Sequence, residues 1–224
     1  MPTPNLAATF DHTLLRPDCT EAQISQLCQE ARQYGFASAC VPPCHVALAA
    51  RELSGSGVAV CTVIGFPLGY SSSRVKFREA EIAMAEGATE LDVVLNVSLL
   101  KSGQLDAVKA EIEDLADLAD VHNSVLKVII ETALLTEVEM ETAARLCAEA
   151  GAHFVKTSTG FASRGASVAD VELLRRVLPA GVRIKASGGI RTRAQAEALL
   201  AAGADRLGTS NSLAILQEDE STPS

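Results

Sequence analysis

The chain has no tryptophan, and with two tyrosines and six phenylalanines its aromatics amount to 4% of 224 residues. A core without large rings must be built from Ala, Leu, Val and Ile. Basic residues are also scarce: 19 Lys and Arg face 28 Asp and Glu, a formal net charge of -9. That balance excludes nucleic acid as the main partner, because a phosphate backbone needs a basic face. A small phosphorylated substrate remains open to it, since a few local donors can meet one phosphate. No apolar run approaches the ~20 residues of a membrane span, so no membrane association is expected. Met1-Pro2-Thr3-Pro4-Asn5 has neither the basic nor the apolar region of a signal peptide, so the expected location is the cytoplasm.

Cysteine is sparse too. Cys19, Cys28, Cys40, Cys44, Cys61 and Cys147 are scattered, which in a cytosolic chain reads as free thiols. The one cluster, Cys40-Val-Pro-Pro-Cys44-His45, has no second cluster to complete a zinc site, so no metal is expected. Asn96-Val97-Ser98 matches a glycosylation sequon by pattern only.

What is present is a regular alternation of short β-type runs with longer helical ones, the signal for βα units on a parallel sheet. Strands are predicted at Thr9–Thr13, Ser38–Val41, Val58–Ile64, Glu90–Leu95, Leu126–Glu131, His153–Thr157, Arg183–Ala186 and Asp205–Gly208. Helix starts are marked by Thr20/Gln23, Thr136/Glu139, Ser167/Asp170 and Thr192/Gln195. Glu86-Gly87-Ala88, Ala150-Gly151-Ala152 and Ala202-Gly203-Ala204 mark helix ends. Eight units in this length predict a single-domain α/β (β/α)8 TIM barrel over residues 1–216, with a disordered acidic tail at 217–224. A doubly wound open sheet is the alternative, but no Gly-x-Gly-x-x-Gly follows the first strand.

Period-two reading of the strands puts charges on one face. Leu91, Val93 and Leu95 oppose Asp92 and Asn96; Leu126, Val128 and Ile130 oppose Lys127 and Glu131. Arg183 falls with Lys185, and Lys156 opposes Val155. With the apolar faces under helices, the charges point into the barrel, where each costs several kcal/mol, on the order of a buried ion, unless paired or neutralised. A structural ion network would account for any one of them. Three lysines and an arginine against few acids imply more: crowded ammonium groups lower one another's pKa, and a neutral lysine is a nucleophile. Asp92, Lys156 and Lys185 lie toward the C-terminal strand ends, where barrel enzymes carry chemistry.

Ser187-Gly188-Gly189-Ile190 and Gly208-Thr209-Ser210-Asn211-Ser212 follow the last two strands and enter helices. Taken singly, each is a tight turn. Together, in the loops after strands seven and eight, they predict a phosphate cradle of backbone N–H groups. Thr157-Ser158-Thr159-Gly160 could close the same pocket.

From Lys156-Thr157-Ser158-Thr159-Gly160 outward, the chain resembles the deoxyribose-phosphate aldolases. Matching segments are Asp11-His12-Thr13-Leu14-Leu15, Val63-Ile64-Gly65-Phe66-Pro67-Leu68-Gly69, Glu90-Leu91-Asp92-Val93-Val94, Leu126-Lys127-Val128-Ile129-Ile130-Glu131-Thr132 and Lys185-Ala186-Ser187-Gly188-Gly189-Ile190-Arg191. The resemblance implies cleavage of 2-deoxyribose 5-phosphate to acetaldehyde and glyceraldehyde 3-phosphate, and the reverse condensation, without a cofactor. It implies Lys156 as Schiff-base lysine, Lys185 as second active-site lysine and Asp92 as acid–base partner. It places Asp11, Thr13, Lys127, Thr159, Gly160, Ser187, Gly188, Gly189, Gly208 and Ser210 around the substrate and its phosphate. Expected partners are a phosphosugar, aldehydes and, as relatives are often dimers or tetramers, further copies of the chain. Two departures stand out: Phe161 occupies a position where some relatives carry a lysine near the phosphate, and the C-terminus has no tyrosine. A phosphosugar isomerase, or a sugar-phosphate-binding regulator without turnover, could use the same cradle.

Overall fold

A computed structural model of the chain describes residues 5–218. Eight parallel strands close into a barrel in sequence order: β1 (Phe10–Thr13), β2 (Ser38–Val41), β3 (Ala59–Ile64), β4 (Glu90–Val94), β5 (Val125–Ile129), β6 (Phe154–Lys156), β7 (Arg183–Ser187) and β8 (Arg206–Thr209). Around it run α1 (Glu21–Tyr34), α2 (Val46–Leu53), α3 (Ser73–Ala85), α4 (Val97–Lys101), α5 (Leu105–Val121), α6 (Glu137–Glu149), α7 (Val168–Val177), α8 (Arg193–Ala201) and α9 (Ser212–Gln217). The fold is the predicted TIM barrel, and no helix among the described residues is long and apolar enough to cross a membrane.

Local sequence chemistry accounts for the helix boundaries. Thr20, Thr136 and Thr192 form capping boxes with Gln23, Glu139 and Gln195, each cap contributing about 1 kcal/mol. Ser167 caps α7 by accepting from the Asp170 N–H, but without the reciprocal bond, because the Asp170 carboxylate is taken by Arg164 and Thr132. Gln217, predicted to open the tail, instead closes α9, and the Glu218 carboxylate accepts from the Arg193 N–H at 2.6 Å. The rest of that tail, 219–224, lies outside the described residues.

The period-two split holds. Leu91, Val93, Leu126, Val128, Val155, Ile184 and Leu207 are buried in one continuous core between sheet and helices. The opposite face of each strand fills the barrel, and parallel register sets those residues side by side. Asp92 is paired with Lys127, Lys156 with Lys185, Lys185 with Arg206, and Cys40 with Cys61. Arg183 departs from its expected place. It stands exposed at the start of β7 with its guanidinium 4.0 Å over the Phe154 ring, so the arginine inside the barrel is Arg206. Glu131 departs as well. β5 stops at Ile129, and Glu131 adopts a left-handed backbone (φ 54°) that takes it out of strand alternation.

Candidate active site

The barrel floor is a charged network. Asp92 is buried on β4 and accepts from three lysine side chains: Lys127 Nζ on Oδ1 at 2.8 Å, and Lys156 Nζ and Lys185 Nζ on Oδ2 at 2.8 and 2.6 Å. Lys185 also pairs with Asp11. Lys127 pairs with Glu90 at 2.7 Å and lies 3.8 Å from Asp11. Arg206 donates to Asp11 through Nε at 2.8 Å and to Glu90 through Nη2 at 3.1 Å. The acids are therefore more numerous than the strand pattern suggested, because Asp11 and Glu90 join Asp92. Three carboxylates face four basic side chains, one base more than there are acids.

This balance settles how most of the groups titrate. Burial alone would raise the Asp92 pKa, but Lys127, Lys156 and Lys185 outweigh it and hold the carboxyl well below its usual range. Asp11 is likewise driven down against its burial by Lys185, Lys127 and Arg206. Burial would lower Lys185, yet Asp11 and Asp92 raise it above an ordinary lysine; Lys127 is raised in the same way by Asp92 among others. Crowding among the lysines thus does not unload these two. They remain ammonium groups held by acids.

Above the floor opens a cleft of about 510 Å³, lined by Thr13, Lys156, Thr159, Gly160, Ser187, Gly188, Gly189, Gly208 and Ser210 together with Arg16, Phe161 and Arg191. Of the network's lysines, Lys156 alone borders it. Asp11, Asp92, Lys127 and Lys185 lie beneath. A larger, shallower groove of about 850 Å³ runs over the β3–α3 loop and α3, from Gly65 to Ile82; it touches none of these charges.

A family model describing the DeoC/LacD family aldolases matches residues 6–218. The chain belongs to the DeoC/LacD aldolase family. It is 50% identical over 215 residues to the deoxyribose-phosphate aldolase of Thermoanaerobacter sp. (strain X514), covering 96% of each chain. To that of Brevibacillus brevis it is 50% identical over 220 residues, 98% of this chain and 99% of the relative. The tetrameric deoxyribose phosphate aldolase structure from Aeropyrum pernix superposes with a TM-score of 0.92 at 38% identity, over 99% of this chain and 94% of that one. The chain is accordingly an aldolase, a lyase on a TIM barrel.

Within this aldolase the expected cradle divides in two. Thr159 spends both its donors on Glu131, through N–H at 3.1 Å and through its hydroxyl, and its Oγ1 accepts from the Phe161 N–H at 3.0 Å. The Ser187 hydroxyl donates to the Ser158 carbonyl at 2.5 Å. The side chains of both residues are therefore occupied in holding loops. Gly208 serves the floor: a Cβ there would lie 3.0 Å from Lys185 Cε and from Ser187 Cβ. By contrast, Gly160, Gly188, Gly189 and Ser210 donate no backbone N–H to another described residue, and all four line the cleft. Backbone crowding holds Gly188, since a Cβ on Gly165 would fall 2.0 Å from the Gly188 carbonyl oxygen.

Sequence reasoning missed Arg16 and Arg191 as cleft residues. Arg191 could have been found, because it directly follows the Gly188-Gly189-Ile190 turn; Arg16 carries no such signal. The Cys40-Cys44-His45 cluster does not form a unit, as Cys40 is buried in the barrel and Cys44 is exposed. Cys40 instead meets Cys61, and both place sulfur within 4.8 Å of an Asp92 oxygen. A cation added there would compete with the three lysine Nζ groups already on Asp92.

Proposed function

We propose that this aldolase cleaves 2-deoxy-D-ribose 5-phosphate to acetaldehyde and D-glyceraldehyde 3-phosphate, and runs the reverse condensation, through a Schiff base on Lys156. The observation that carries the reading is that Lys156 is the one amine of the charged floor that borders the cleft, with its Nζ 2.8 Å from a buried carboxylate. The names of relatives at about 50% identity point to the same substrate.

Lys156 Nζ adds to the C1 aldehyde of the open-chain sugar, and loss of water from the carbinolamine leaves an iminium. A two-carbon product requires the C2–C3 bond to break: its electrons flow into the iminium to give an enamine, while the C3 hydroxyl loses its proton and becomes the new carbonyl. Protonation at C2 and hydrolysis release acetaldehyde and regenerate the amine. Asp92, ionised at rest, is a base for these transfers. Its Oδ2 touches both Lys156 and Lys185, so a proton can pass between the two amines through one oxygen. Lys185, held cationic, stabilises the developing alkoxide. Network charge also favours the nucleophile's role for Lys156: it has one acidic partner, shared with two other lysines, while Lys127 and Lys185 each have acids besides.

The phosphate is received by the N–H groups of Gly160, of Gly188 and Gly189 in the turn before α8, and of Ser210 before α9, with Arg16 and Arg191 at the mouth supplying the charge that Phe161 cannot. The enzyme works in the cytoplasm, without cofactor, as a homo-oligomer like its Aeropyrum relative. Borohydride reduction in the presence of acetaldehyde is the test. The expected product is one ethyl adduct, at Lys156, located by peptide mass spectrometry. An isomerase or a binding protein would form none, and an adduct at Lys127 or Lys185 would refute the assignment.

A further inference from the structure

Glu131 is absorbed by none of the chemistry above. It is buried, it has a left-handed backbone (φ 54°, ψ 69°), and it lies at the end of the strand that carries Lys127. A glycine would take that conformation without steric cost, whereas a side chain with a Cβ is strained there. The strain redirects the side chain. Continued alternation would have set Glu131 over the barrel axis with Lys127, but the reversal turns it sideways to the β6–α7 loop. There its Oε2 accepts from both the N–H and the hydroxyl of Thr159, and the hydroxyl accepts in turn from the Phe161 N–H. Its Oε1 has no partner among the described residues.

The far end of the same loop is fastened to the same strand end. Arg164 donates to the Thr132 carbonyl at 3.0 Å and pairs with Asp170, which accepts from the Thr132 hydroxyl at 2.8 Å. Between these anchors lies Gly160, exposed on the cleft with an undirected N–H. Glu131 is the anchor next to it.

We propose that Glu131 is a positioning residue for the anion end of the cleft. By holding Thr159 it sets the Gly160 N–H toward a bound phosphate, and so makes the enzyme selective for phosphorylated over unphosphorylated sugar. The inference rests on the phosphate site proposed above. It requires an acceptor oxygen at this position, not a negative charge, and that separates the variants. E131G fits the backbone and removes the acceptor; E131Q keeps an amide oxygen that can take both hydrogen bonds.

The measurement is steady-state kinetics of the full chain on deoxyribose 5-phosphate and on deoxyribose. Loss of the Gly160 N–H hydrogen bond to the charged phosphate predicts a rise in KM of about tenfold or more for the phosphorylated sugar in E131G. The change in kcat, and the loss on deoxyribose, should be far smaller, and E131Q should restore the KM to near the wild-type value. Equal losses on both sugars, or no rescue by E131Q, would overturn the inference. Calorimetric binding of inorganic phosphate reads the loop without turnover. E131G should weaken it about tenfold, and equal affinity in wild type and E131G would overturn the inference whatever the sugar substrate is. A wild type that cleaves neither sugar refutes the aldolase substrate instead. Should E131G not fold, T159V removes the hydroxyl from the other side of the same contact and must show the same preference for loss on the phosphorylated sugar.

Discussion

Replacing Asp92 by Asn tests the charged floor as a unit. The carboxylate has three Nζ atoms within 2.6 to 2.8 Å. With an effective dielectric constant near 20, each contact is worth about 6 kcal/mol of gross attraction, most of which offsets the cost of dehydrating buried ions. Breaking such an arrangement by neutralising one member typically costs about 3–5 kcal/mol, because the partners stay buried and uncompensated. For a chain of this size that is a fall in Tm of about 6–20 °C. The excess of basic over acidic side chains grows from one to two in D92N, and D92N/K185M returns it to one. Thermal unfolding should therefore show the double variant less destabilised than the two single losses added, by at least about 1 kcal/mol. The pH dependence has a definite sign. Asp92 and Asp11 have depressed folded pKa values, so their stabilisation is complete above the ordinary carboxylate value of about 3.9 and is lost as pH falls through the lower folded values. Tm should hold from neutrality to about pH 4 in wild type and drop steeply below, with a shallower drop in D92N. A D92N protein within about 1 kcal/mol of wild type at pH 7, or strict additivity in the double variant, would refute the account of the floor as one shared network.

Lys156→Ala should abolish both turnover and borohydride trapping while lowering Tm by only a few degrees, since Asp92 keeps Lys127 and Lys185; differential scanning calorimetry beside the adduct assay checks both halves. Gly208→Ala should cost about 1–3 kcal/mol by overpacking, and should lower kcat more than it raises KM, because the added Cβ meets Lys185 Cε at 3.0 Å. Native alkylation with iodoacetamide at pH 8 should label the exposed Cys44 first. Cys28 and Cys147, whose thiols burial pushes up to about 11 and about 12, should react at least about a hundredfold more slowly.

The barrel was legible because each level of the sequence repeats the same message. Thr20, Thr136 and Thr192 mark helix starts, Gly87, Gly151 and Gly203 mark helix ends, and apolar alternation marks the outer face of strands such as Leu91 to Leu95. Strand parity also found the lysines, because a charge opposite Val155 or Ile184 faces the barrel side of the sheet. Parity says nothing of height along the axis, and that is where it failed for Arg183. The residue has the same facing as Lys185 but sits at the strand's start, where it reaches solvent over Phe154. Nor could it reveal that Asp11 and Glu90 would meet Lys127 and Arg206, since those contacts join β1, β4, β5 and β8 across the barrel.

The loops show why a phosphate-binding pattern is weaker evidence than a charged strand. Thr157-Ser158-Thr159-Gly160 reads as a polar turn offering donors to an anion, yet the Thr159 donors are consumed by Glu131 and the hydroxyl of Ser158 by Thr157. What a loop can offer a ligand is what remains after its own hydrogen bonds are made, and that remainder depends on residues distant in sequence. Here it is the N–H groups of glycines, which have no side chain through which to announce them. A strand charge, by contrast, is constrained by one neighbour and one face. This difference predicts which part of the site should tolerate redesign: the Gly160 and Gly189 turns can change ligand preference through their anchors, whereas any substitution among Asp11, Asp92, Lys127 and Lys185 disturbs all the others at once.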